Sequence, residues 1–108
     1  MFTNVPCCTI WEKIVQNRSP TYVRHVTGAV YWEENVGETE GKDRKPINSA
    51  LIIIHENNIG TYMPKPDDRI MRGNSESAIP EPNSLTVKKV NDFRYGSTSV
   101  RHIEITAE

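Results

Sequence analysis

The sequence predicts an all-β protein: a small single-domain β-barrel of about six short strands with two long polar loops. Three observations carry this. Short segments rich in β-branched and aromatic residues alternate along the chain, separated by Gly, Pro and Asn turn signals. No segment sustains an apolar stripe at i, i+3, i+4, i+7 over three turns, as an amphipathic helix requires. The 108 residues suit one domain spanning 1–108, large enough to bury a modest core.

The elements follow in order. Cys8 to Val15 alternates Cys8, Ile10, Glu12 and Ile14 against Thr9, Trp11, Lys13 and Val15, which is a strand. Asn17-Arg18-Ser19-Pro20 is a turn. Thr21 to Glu34 is the longest β-like run, with Tyr22, Arg24, Val26, Gly28, Val30 and Trp32 on one face. Gly28 in its middle predicts a bulge or bend. Asn35 to Pro46 reads as the first long loop, with Glu38 and Glu40 ahead of Lys42, Arg44 and Lys45. Ile47 to His55 contains Ala50-Leu51-Ile52-Ile53-Ile54, a strand expected to be buried on both faces. Asn57 to Gly60 turns the chain, Thr61-Tyr62-Met63 is brief, and Pro64 to Asp68 turns it again. Arg69 to Arg72 is a short strand ending at Gly73. Asn74 to Asn83, with Pro80 and Pro82, is the second long loop. Ser84 to Asn91 is a strand and Arg94 to Ser97 a turn. Val100 to Thr106 is the last strand, with Ile103 and Ile105 on one face and His102 and Glu104 on the other.

Composition narrows the function classes. Thirteen basic against fourteen acidic residues give a net charge of -1, which argues against a dedicated nucleic-acid binder. No apolar stretch approaches the roughly 18–20 residues of a membrane span, and Met1 to Pro6 lacks the charged and apolar regions of a signal peptide. Cys7 and Cys8 are neighbours, too close for a relaxed disulfide and wrongly spaced for zinc, so they read as reduced thiols of a protein made in the cytosol.

No catalytic pattern emerges, and neither cofactor nor metal is expected. His25, His55 and His102 lie at no metal-binding spacing and read as strand-face side chains. No GxSxG elbow occurs, and no glycine-rich loop precedes a helix. Asp67-Asp68 reads as a turn, since neighbours on a strand point to opposite faces and cannot share an ion. Phe93, Arg94 and Tyr95 supply the residue types of a base-stacking platform, although core packing is the commoner use of such rings.

Three stretches together resemble a known family: Met1-Phe2-Thr3-Asn4 before the first strand, Lys65-Pro66-Asp67-Asp68-Arg69-Ile70-Met71-Arg72-Gly73, and Leu85 to Ser97 followed by Val100-Arg101-His102-Ile103-Glu104-Ile105. This order is similar to the small head–tail joining proteins of long-tailed bacteriophages, called head-completion, stopper or minor capsid proteins. In that family a PxxGDxIxxG-like turn and strand precede a V..V.D strand, and an rHiei-like strand ends the domain. Asp67 stands here where the family has glycine, so the turn must accommodate a side chain. The resemblance implies a non-catalytic subunit of a homo-oligomeric ring at the head–tail interface of a phage or prophage virion, made in the host cytoplasm and monomeric when isolated. Its partners would be portal or adaptor proteins and tail proteins, its contact with genomic DNA in the channel incidental, and no membrane is implied. Rings need complementary heterologous surfaces, and the split charge of Glu38, Glu40, Lys42, Arg44 and Lys45 suits pairing with a neighbour's loop. The alternatives are an OB-like barrel binding single-stranded nucleic acid through Phe93, Arg94 and Tyr95, a tail-terminator subunit, or a small enzyme with a histidine-centred site.

Overall fold

The computed structural model describes residues 3–38, 46–60, 62–96 and 101–108, with side chains described outside 35–38 and 46–48. These residues form β1 (Cys8–Gln16), β2 (Ser19–Thr27), β3 (Tyr31–Glu38), β4 (Pro46–His55), a short helix α1 (Glu56–Ile59), β5 (Arg69–Arg72), β6 (Leu85–Phe93) and β7 (His102–Ala107). All pairings are antiparallel, in the order β2-β1-β5-β6-β7-β4-β3.

The β1–β2 hairpin closes on Gln16 and Ser19, leaving Asn17 and Arg18 as a two-residue loop. Both adopt positive φ, 51° and 66°, as a type I′ turn requires to match the twist of its strands. Asn accepts that conformation readily; Arg does so at a cost. Pro20 is tolerated because β2 is an edge strand.

The long run from Thr21 bends where Gly28 predicts. Cys8 pairs Thr27 and, beyond a gap, Val5 bridges Val30 in the same register. Asn4 then extends the contact with its side chain, accepting from Trp32 N at 2.8 Å and donating to Trp32 O at 3.0 Å. Gly28 lies against Asn58: a Cβ there would meet Asn58 Oδ1 at 3.1 Å. Gly28 N donates to Asn58 O, and the Asn58 amide donates to Ala29 O. The bend also shifts the alternation. Thr27 is buried before it, Val30 and Trp32 after it, so the single face expected along the whole run changes parity at Gly28-Ala29.

The core is built from cross-strand rows. Trp32 opposes Ile52, which opposes Ile105, and Ile54 opposes Ile103. Cys8, Ile10 and Ile70 come from the other half of the sheet, and Ile59 of α1 joins the same cluster. Each fully buried isoleucine contributes about 1.5–3 kcal/mol over an exposed one. The two halves meet on β6. Leu85 and Thr86 pair with β5, the rest of the strand pairs with β7, and a register shift falls between Val87 and Lys89. A bulge of this kind bends a strand and increases its twist, which folds the sheet over its own core.

Several expectations need correction. The sheet does not close into a barrel: among the described residues no ladder joins β2 to β3, and the two edges are linked only through the Gly28–Val30 bend and the Val5 bridge. Seven strands form rather than about six, because the bend splits one run into two. The first loop is shorter than 35–46. The β3–β4 ladder continues from Glu34–Ala50 out to Glu38–Pro46, so pairing overrides the weak strand preference of Asn, Gly and Glu. Residues 57–59 turn as one helical turn, capped by His55, whose Nδ1 accepts from Asn57 N at 3.2 Å. β4 is buried chiefly on one face, since Leu51 and Ile53 remain partly exposed.

The 74–83 segment is a loop, as expected, and its first half is a strap. Trp11 Nε1 donates to Ser77 O at 2.9 Å. Thr9 Oγ1 donates to Gly73 O and accepts from Ser75 N. Arg24 donates to Ser75 O and to the Asn74 side chain. Trp11 is thereby fully buried on the face opposite the main core.

Candidate functional site

The densest polar constellation centres on Asp68. Asp68 shares the inward face of Ile70, two residues on, and is fully buried. Its Oδ1 accepts from Lys13 N at 3.0 Å and from the Lys65 ammonium at 3.0 Å. Its Oδ2 accepts from Lys65 N at 3.0 Å and from the Tyr62 hydroxyl. A carboxylate offers about four acceptor sites, and all of them are used. The backbone of Asp68 extends the β5–β6 ladder by accepting from Val87 N.

Two more side chains, His25 and Glu12, complete the cluster. Tyr62 stacks on His25, ring centroids 4.1 Å apart and planes 6° from parallel. His25 Nε2 is 3.0 Å from Glu12 Oε1, and Lys65 Nζ is 4.0 Å from Glu12 Oε2. Burial, then the Asp68 carboxylate, holds the Tyr62 phenol well above its ordinary range. The group therefore stays a neutral donor to Asp68. Chemically the cluster is a clamp: it ties β1, β2 and the Pro64–Asp68 turn together and leaves the carboxylate no free lone pair for a ligand. Asp67, its neighbour, is exposed and has φ 78°.

The Phe93, Arg94 and Tyr95 group lies at the far end of β6. Phe93 stacks on His102 with centroids 5.3 Å apart and meets Tyr95 edge-on at 6.2 Å. Tyr95 is 67% exposed. Arg94, however, forks onto Asp92, Nε to Oδ1 at 3.0 Å and Nη2 to Oδ2 at 2.9 Å. That pairing lowers the Asp92 pKa and raises the Arg94 pKa, and it cancels the charge a nucleic-acid backbone would seek.

The histidines do not converge. His55 and His102 are cross-strand partners, whereas His25 belongs to the Asp68 cluster in the other half of the sheet. Among the described residues no group of three or more His, Cys, Asp or Glu is placed to hold a metal, and no helix is long and apolar enough to cross a membrane. Cys8 is buried against Thr27 Oγ1 at 3.0 Å, and burial pushes its thiol up to about 12. Glu40, Lys42, Arg44 and Lys45 lie outside the described residues. Glu38 lies in β3 opposite Pro46, on a strand rather than a loop.

Residues 2–108 match the model of a family of unknown function, DUF6751. The chain belongs to the DUF6751 family. No curated protein and no solved structure matches it. Function in this DUF6751 chain must therefore be argued from its own residues.

Sequence reasoning missed the Asp68 clamp by reading Asp67-Asp68 only as a turn. The signal was nonetheless present. Counting back by two from the apolar Ile70 places Asp68, the residue just before β5, on the same inward side.

Proposed function

We propose that this chain is a non-catalytic assembly subunit that forms a ring at the head–tail interface of a long-tailed phage or prophage particle, completing the DNA channel and offering a docking surface to the tail. One observation carries the proposal. The resemblance to head-completion proteins has glycine where this chain has Asp67, and Asp67 adopts φ 78°, the left-handed conformation that favours glycine. A backbone that glycine would favour, at the one position where the residue departs from the motif, supports the reading. A small all-β domain whose sheet has two open edges further supports the reading, because ring subunits associate through complementary surfaces rather than a pocket. The Arg94–Asp92 pair weighs against the nucleic-acid alternative.

The test is electron microscopy of particles produced after the gene is deleted from the genome that encodes it. Free tails beside heads that have lost their DNA are expected. Filled heads carrying normal tails overturn the proposal.

A further inference from the structure

The two open edges of the sheet carry opposite charge. In the β1–β2 hairpin, Gln16 and Ser19 close a two-residue loop and so form a hydrogen-bonded pair. Alternate pairs follow, and the backbone groups of Tyr22, Arg24 and Val26 turn outward. Gly28 obeys the same parity, with its N–H reaching out to Asn58 O. On β3, the backbone N–H and C=O of Trp32 face the Asn4 side chain, away from β4, so those of Glu34 and Val36 face outward too. From Asn17 to Thr27 the chain holds Arg18, Arg24 and His25 and no acid; from Tyr31 to Glu38 it holds Glu33, Glu34 and Glu38 and no base. Three of the large apolar side chains left exposed among the described residues, Val15, Val23 and Val26, are in the β1–β2 hairpin.

We infer that the occupant of the β2 edge is the β3 edge of a second copy of this chain, added head to tail as an antiparallel strand. Registers two residues apart all match the outward backbone groups, and among them we assign Arg24 opposite Glu34, which pairs opposite charges at the middle of both edges. This register sets Tyr22 opposite Val36, so that both pairs have outward backbone groups and exchange hydrogen bonds. It also sets His25 opposite Glu33, and the new ladder ends there, because the outward backbone groups of Trp32, opposite Val26, are held by the Asn4 side chain. Because the two surfaces differ, the contact is heterologous and propagates into a ring or a filament. A two-fold β2–β2 pairing lacks this complementarity, bringing two basic edges together. The inference deepens the ring reading above by naming the surface through which copies join.

In the proposed register Val23 and Asn35 form a non-hydrogen-bonded pair, in which side chains approach closely enough for a disulfide. Val23→Cys and Asn35→Cys chains are made separately, mixed and oxidised, with the parent chain setting the background from Cys7 and Cys8. A dimeric disulfide that joins the two introduced thiols, position 23 of one chain to position 35 of the other, is expected and is located by peptide mass mapping. Adding Glu34→Arg to the Asn35→Cys chain should reduce its yield at least roughly tenfold, since like charges then oppose; thermal melting of that variant confirms that it folds. A disulfide formed as readily by Val23→Cys alone, or a mixture no more cross-linked than the parent, overturns the inference. The gene-deletion phenotype does not depend on which edge pairs, so failure here leaves the proposed function standing, and failure there leaves the pairing intact.

Discussion

Replacing Asp68 tests the account of the clamp most directly. Asp68→Ala removes the acceptor of two backbone N–H groups, a phenol and an ammonium, all gathered about a fully buried position. The Lys65 ammonium is half-exposed and can return to water. The Lys13 and Lys65 amides and the Tyr62 hydroxyl are left to find new partners. A buried donor without one costs about 1–3 kcal/mol, so three of them amount to about 4 kcal/mol even near the lower end of that range. Such a loss is a large share of the roughly 5–15 kcal/mol that holds a domain together. Asp68→Asn keeps the volume and one carbonyl acceptor but turns an NH2 toward existing donors, for an expected loss of about 2 kcal/mol. Urea denaturation followed by tryptophan fluorescence reads both. With a slope of about 2 kcal/mol/M, the midpoint should fall by roughly 2 M for alanine and roughly 1 M for asparagine. A Tyr62→Phe control removes a donor rather than stranding one and should cost less than either. Midpoints of both Asp68 variants within about 0.3 M of the parent, or roughly 0.6 kcal/mol, would refute the clamp.

Three further outcomes are expected. The folded Cys8 thiol stays protonated up to about 12 whereas the unfolded one ionises near 9.0, so stability is complete below pH 9.0 and falls as pH rises toward 12; three pH units at 1.36 kcal/mol each bound this loss at about 4 kcal/mol. Denaturation curves of the parent and Cys8→Ala should accordingly converge over that window, and parallel curves would contradict the burial argument. Trp11→Phe loses the hydrogen bond to Ser77 O and should cost about 1 kcal/mol, with faster amide exchange or proteolysis confined to the 74–79 strap. Arg18→Gly relieves the φ of 66° at the hairpin turn and should raise stability by about 0.5–1 kcal/mol, seen as a higher melting temperature.

Much of the architecture was legible locally. Alternation marked β1 and β7, Asn17-Arg18 marked the hairpin turn, and Gly28 marked the bend, because each depends on neighbours in the chain. The extension of β3 and β4 through Glu34–Ala50 to Glu38–Pro46 was not legible, because a ladder is stabilised by pairing across the chain rather than by the propensity of its residues. The candidate site divides the same way. The residue types at Phe93, Arg94 and Tyr95 could be read directly, but the Asp92 fork that neutralises Arg94 depends on how the β6 terminus is folded.

The sequence by itself determined an all-β domain, its turn positions and which strand faces could be apolar, since period-two alternation and backbone φ preferences are properties of adjacent residues. Only the tertiary structure decided that the sheet stays open, that the inward face changes parity at Gly28-Ala29, and that Asp68 is buried among donors from its own turn and from the distant strand β1. Each of these depends on which strands meet, and burial and hydrogen-bond satisfaction are set by partners that local pattern does not specify.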